Sequence, residues 1–209
     1  GNTGTQMFGW FNKEINSLDD IKGLKMRIPG VGGEVLKRAG GIPVTLPGGE
    51  LFTALQTGVI DATEWVGPYN DLTFGFHQIA KYYYYPGWHE PGSMLELLIN
   101  KDEWDQLPNH LKVIIETAAK AVNQDILDEY TAKNNSALRE LVDTHNVELR
   151  KLPDDVINEF KLIANQILEE NAQKDEMVNK VYQSYKSFKK DVSEYHKVSE
   201  DAFVEARNN

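Results

Sequence analysis

The spacing of apolar residues divides the chain into two regimes. As far as Gly92, apolar residues fall in short runs separated by glycine and proline, the punctuation of short strands, turns and short helices. These runs predict strands over residues 7–11, 24–28, 43–46, 60–66 and 81–85, with helical pieces over 17–23, 34–39, 50–57 and 72–80. Ser17 reads as an N-cap and Gly23 as a stop for the first helical piece. Residues 30–33, Gly-Val-Gly-Gly, read as a loop, and 93–100 as one more strand. Alternation of this kind implies α/β architecture with a mixed, partly parallel sheet.

Beyond Pro108 the pattern changes. Leu111, Ile114, Ile115, Ala118, Val122 and Ile126 recur at helical spacing, and residues 146–152 read as a short strand. Val156, Phe160, Ile163 and Ile167 form another helical stripe. Val178, Val181, Tyr185, Phe188, Val192 and Tyr195 then follow a 3-4-3-4-3 spacing, the seam of a helix that packs on a partner helix. That partner is either a second subunit or the long helix of the same chain.

Composition narrows the possibilities. All 16 glycines lie at or before Gly92, so the long helices are free of that breaker. A formal charge of −10 argues against nucleic acid and against anionic membrane surfaces as partners. The absence of cysteine excludes disulfides, thiol nucleophiles and Cys-based zinc sites, and is compatible with an oxidising compartment. No apolar run is long enough to span a bilayer, and the chain shows no signal peptide.

Three groups stand out chemically. Arg27 lies in Leu24-Lys25-Met26-Arg27-Ile28-Pro29 before a Gly-rich loop. It is either a fork for a carboxylate or, favoured on pattern alone, a surface arginine on an edge strand. Glu64-Trp65 closes a strand, where ligands bind in open α/β sheets, and Glu64 is either a cation ligand or a solvated carboxylate beside a core tryptophan. Glu90 sits in the rigid turn Gly87-Trp88-His89-Glu90-Pro91-Gly92 behind four tyrosines, placing a second carboxylate in reach of the same hard cation. The five histidines show no paired metal spacing, and neither a nucleotide fingerprint nor a Gly-x-Ser-x-Gly elbow is present.

Several segments carry a family resemblance: Gly1-Asn2-Thr3-Gly4-Thr5-Gln6-Met7, Gly9-Trp10-Phe11-Asn12-Lys13-Glu14-Ile15, residues 18–28, residues 49–69 with Glu64-Trp65-Val66-Gly67-Pro68-Tyr69, and Tyr82-Tyr83-Tyr84-Tyr85-Pro86-Gly87-Trp88-His89-Glu90. Along nearly its whole length the chain resembles the solute-binding proteins of TRAP (tripartite ATP-independent periplasmic) transporters, in the branch that takes α-keto acids with a metal ion. The resemblance implies a periplasmic-binding-protein-like lobe followed by long C-terminal helices. Residues 1–85 correspond to the second lobe, 86–107 to a crossover and strand returning toward the first lobe, and 108–209 to bridging helices and a dimerisation helix. Most of the first lobe is expected to be absent from this chain.

By the same resemblance Arg27 pairs with the ligand carboxylate, and Gln6 and Trp65 touch both ligand and metal. Glu64 and Glu90 ligate the metal, and Asn2, Tyr69 and Trp88 are neighbours of the ligand. The implied function is extracytoplasmic, periplasmic capture of a 2-oxo or 2-hydroxy monocarboxylate such as pyruvate with Na⁺ or Ca²⁺, and its delivery to a membrane permease. Oxygen-only ligation would disfavour zinc. A metal-dependent enzyme acting on 2-oxo acids and a helical adaptor are the rival readings.

Overall fold

A computed structural model describes residues 1–208. It contains six strands: β1 (Gly9–Phe11), β2 (Lys25–Arg27), β3 (Ile42–Val44), β4 (Ala62–Thr63), β5 (Tyr82–Tyr85) and β6 (Glu148–Lys151). They form one sheet in the order β3-β2-β4-β1-β5-β6. β1 runs antiparallel to both neighbours, with Trp10 opposite Thr63 and Tyr83. The β2–β3, β2–β4 and β5–β6 pairs are parallel, so the sheet is mixed as expected.

The helices are α1 (Gly30–Arg38), α2 (Leu51–Gln56), α3 (Pro68–Phe74), α4 (Lys101–Gln106), α5 (Asn109–Arg139), α6 (Asp154–Lys174), α7 (Glu176–Val198) and α8 (Glu200–Asn208). None is long and apolar enough to cross a membrane. Two compact units emerge, one spanning Gly1–Phe160 with the sheet, the other starting at Lys161.

Four expectations need correcting. Residues 30–33 are the first turn of α1 and not a loop, because Pro29 supplies an extended N-cap and Gly33, Val35 and Leu36 form a buried face. The strand over 60–66 shortens to Ala62–Thr63, although single bonds continue past it, from Glu64 N to the Arg27 carbonyl and from Met7 N to the Val66 carbonyl. The helix over 72–80 starts earlier, with Pro68 in its first turn, and is interrupted at Gly75. Residues 93–100 form no strand beyond an Asn2–Met94 bridge, since among the described residues only the chain start pairs with them. Leu98 there is 83% exposed.

The core beside the sheet is built on aromatics. Trp10 stacks on Tyr83 with centroids 4.2 Å apart, and Phe76 packs against Trp10. At its centre lies a carboxylate, Asp71 of α3, only 1% exposed. Its Oδ2 accepts from Trp10 Nε1 (2.9 Å) and the Tyr83 hydroxyl (2.8 Å), and its Oδ1 from the amides of Val66 (3.1 Å) and Gly67 (3.0 Å). Burial pushes its pKa up to about 6, against four hydrogen bonds that pull it down.

A carboxyl whose folded pKa exceeds its unfolded value binds its proton more tightly in the fold. It therefore adds stability as pH falls, and loses that contribution as pH rises through the window from 3.8 to about 6. The swing through this group should be about 3 kcal/mol. In Asp71→Asn the amide can donate to the Tyr83 hydroxyl, but the Trp10 N–H loses its acceptor. We expect urea unfolding at pH 7 to show a loss of about 1–3 kcal/mol. The stability of wild type minus that of the variant should fall by about 3 kcal/mol as pH rises from 3.8 to about 6.

Candidate functional site

The site forms where the C-terminal ends of β2 and β4 meet the turn after β5. Arg27 ends β2, and β2 lies between β3 and β4, so the edge-strand reading falls. Its guanidinium is largely covered: Nε donates to the Leu46 carbonyl at 3.2 Å, and Nη1 pairs with Glu64 Oε1. Glu64 is 3% exposed, which removes the solvated reading. The guanidinium also lies 5.7 Å from the centroid of the Trp65 ring, a cation–π contact that covers it on a second side.

From the opposite side His89 brings Nε2 to 3.4 Å from Glu64 Oε2. Glu64, His89 and Glu90 each offer one ligand atom within 4.8 Å of the others. Glu90 accepts from the Ser93 hydroxyl, which itself accepts from Gln6 Nε2 at 2.9 Å. Gln6 Nε2 also donates to Thr3 Oγ1 at 3.0 Å, which fixes the amide and leaves Gln6 Oε1 buried with no hydrogen-bond donor among the described residues. Two carboxylates and an orphaned amide oxygen are the donor set a hard cation takes, so these residues fit Na⁺ or Ca²⁺.

Two glycines hold the parts in register. Gly9 has φ +138°, and a Cβ on it would lie 2.2 Å from the Thr63 carbonyl oxygen and 2.8 Å from Glu64 Cα. A Cβ on Gly87 would lie 2.6 Å from the carbonyl oxygen of Gln6, so the turn bearing His89 and Glu90 sits directly on the Gln6 backbone.

The structure thus brings Arg27, Glu64, Trp65, Glu90 and Gln6 into one contact network. The other expected residues are engaged differently. The Tyr69 hydroxyl donates to Glu129 at 3.0 Å and accepts from Lys133 at 3.1 Å, both on α5. Asn2 Oδ1 accepts from the Gly4 amide at 2.9 Å. Trp88 packs on Phe160 (4.5 Å) and Phe8 (5.8 Å). Sequence reasoning missed His89, Ser93 and Thr3. His89 was visible only as the neighbour of Glu90, because its partner Glu64 lies far away in sequence.

Comparisons with known proteins identify the family. The chain belongs to the bacterial extracellular solute-binding protein family 7, whose profile matches residues 1–175. It is 44% identical over 200 residues to a monocarboxylate 2-oxoacid-binding periplasmic protein of Nostoc sp., covering 96% of this chain and 55% of that protein. It superimposes on a TRAP periplasmic solute-binding protein from Pseudoalteromonas atlantica, solved with bound sodium and pyruvate, at TM-score 0.93 and 43% identity, covering 98% of this chain and 62% of that one. A second such protein, from Colwellia psychrerythraea with bound calcium and pyruvate, gives TM-score 0.94 and 43% identity, covering 99% and 63%. The chain therefore spans somewhat more than half the length of these relatives.

Gly9→Ala tests the register. The strain at positive φ and the clash with β4 should cost about 2–4 kcal/mol in urea unfolding. Cation binding, followed by calorimetry, should weaken in the folded variant because Glu64 is displaced.

Proposed function

We propose that the protein is the solute-capturing component of a TRAP transporter, which works in the periplasm and hands its ligand to a membrane permease. The ligand is a small 2-oxo or 2-hydroxy monocarboxylate such as pyruvate, taken together with Na⁺ or Ca²⁺. The observation that carries this reading is the junction of half-buried Arg27 and Glu90 with buried Glu64: a fork for one carboxylate beside two carboxylates for one cation. The structural relatives solved with bound pyruvate and sodium or calcium support it.

Arg27 supplies the ligand's counter-charge in a planar geometry that suits a carboxylate. Glu64 holds that guanidinium in place, and Gln6 and Ser93 hold Glu90. Glu64, Glu90 and Gln6 would hold a hard cation, which would offset their charge and supply a positive centre for the ligand's oxygens. With Glu64 turned toward that cation, Arg27 Nη1 would be free to donate to the ligand, which would link cation and ligand binding. The role is capture and not turnover, so pyruvate incubated with Ca²⁺ should be recovered unchanged.

Titration calorimetry with pyruvate checks the pairing. Arg27→Lys keeps the charge but loses the fork, and should weaken binding by about 2–4 kcal/mol, or roughly 30- to 1000-fold. Glu64→Gln and Glu90→Gln should abolish the dependence of pyruvate affinity on Na⁺ or Ca²⁺. Unchanged affinity in all three variants would remove these residues from the site.

The seam on α7 supports a homodimer. Val181, Tyr185, Phe188 and Tyr195 are each more than half exposed in the single chain, which favours a second subunit over an intrachain helix as the seam's partner. An aromatic stripe of this kind suits a subunit contact. Light scattering should give a dimer for the wild type and a folded monomer for Phe188→Glu, with little change in melting temperature of the monomer unit.

A further inference from the structure

We infer that His89 makes the Glu64–Glu90 site competent for a transition-metal dication of the zinc class, which competes there with the hard cation. The inference rests on the reading of Glu64 and Glu90 as cation ligands and adds a nitrogen donor to it. An oxygen-only site discriminates against zinc, but the donor set found here is two carboxylates and an imidazole.

The geometry agrees. Metal–nitrogen and metal–oxygen lengths of about 2.0–2.2 Å at a tetrahedral angle place the two donor atoms about 3.4 Å apart. His89 Nε2 and Glu64 Oε2 are 3.4 Å apart, long for a hydrogen bond and the length of such a tetrahedron's edge. Calcium, with lengths of about 2.4 Å at right angles, would span a similar edge, so donor chemistry and not spacing selects the ion.

His89 cannot turn away easily. Its side chain is 4% exposed. Its ring packs against Phe8 and Trp88, each with centroids 5.7 Å away. The remaining nitrogen, Nδ1, is buried with no partner among the described residues. A metal-bound imidazole ordinarily donates its second N–H to a carboxylate or carbonyl, and loss of that support typically weakens metal affinity about 10- to 100-fold. The site therefore suits an exchangeable ion, not a permanent structural zinc.

Co²⁺ alone serves as the spectroscopic probe, with Ca²⁺ as the competing hard cation. His77 and His145, whose rings lie 4.1 Å apart, are a second place for adventitious metal, so the titrations use a His77→Gln/His145→Gln background. One equivalent of Co²⁺ should bind, and excess Ca²⁺ should displace it. His89→Gln should lower the ratio of Co²⁺ to Ca²⁺ affinity by at least the roughly 10- to 100-fold that loss of a ligand's supporting partner alone brings. In the background chain, Co²⁺ bound through Nε2 leaves a buried Nδ1–H, which should give a shifted, slowly exchanging imidazole proton resonance. That measurement stands even where His89→Gln fails to fold.

An equal fall in Co²⁺ and Ca²⁺ affinity, or Co²⁺ binding that Ca²⁺ does not displace, would overturn the assignment of His89 as a ligand. Ca²⁺ binding without Co²⁺ binding would overturn this inference and leave the cation site intact. Binding of neither ion would overturn both.

Discussion

Asp71 ties three parts of the fold at one buried carboxylate. It reaches β1 through the Trp10 indole, β5 through the Tyr83 hydroxyl, and the connection after β4 through the amides of Val66 and Gly67. Those amides follow Glu64 and Trp65 directly, so the segment that carries the candidate ligands is anchored two residues downstream. A charged group in such a place is costly, as its raised pKa records. What it contributes is geometric: each of its two oxygens accepts two donors that would otherwise be buried and unpaired. Around this node the Trp10–Tyr83 stack is fixed, and the strand carrying Gly9 lies flush against Glu64.

Much of the fold could be read from the sequence because local chemistry dictated it. The capping turn shows this: the Asp20 carboxylate accepts the backbone amides of Asn16 (2.9 Å) and Ser17 (3.0 Å), as a Ser-x-x-Asp turn allows. The stripe Val156, Phe160, Ile163 and Ile167 is buried throughout. What misled was composition acting against context. The Gly-Val-Gly-Gly run looks like a loop, yet Pro29 opens a helix there. The apolar run at 93–100 has strand composition, but composition does not provide a neighbouring strand.

For the site, the residue types were legible and their wiring was not. Arg27, Glu64 and Glu90 could be singled out as a fork and two ligands. That Arg27 and Glu64 neutralise one another depends on the parallel pairing of β2 with β4, a long-range register invisible in a single chain. His89 was passed over for want of a histidine at metal spacing, while its partner carboxylate came from another strand. Gln6, placed at the site through family resemblance, proves to be wired to Glu90 through Ser93. A buried ion pair of this kind is held by its neighbours more than by its own attraction, and either partner left alone would be strongly penalised. The pair therefore favours being opened by a cation and an anion together over either one alone.

The indole of Trp65 adds a consequence of another sort. Its ring is in contact range of the Arg27 guanidinium, packs on Phe74 with centroids 4.6 Å apart, and leaves its N–H buried without an acceptor among the described residues. Any shift of the guanidinium away from Glu64 changes the field across that ring while the ring itself stays wedged in place. The molecule thus carries its own optical gauge of where the charge of Arg27 resides, built from a residue whose first task is packing.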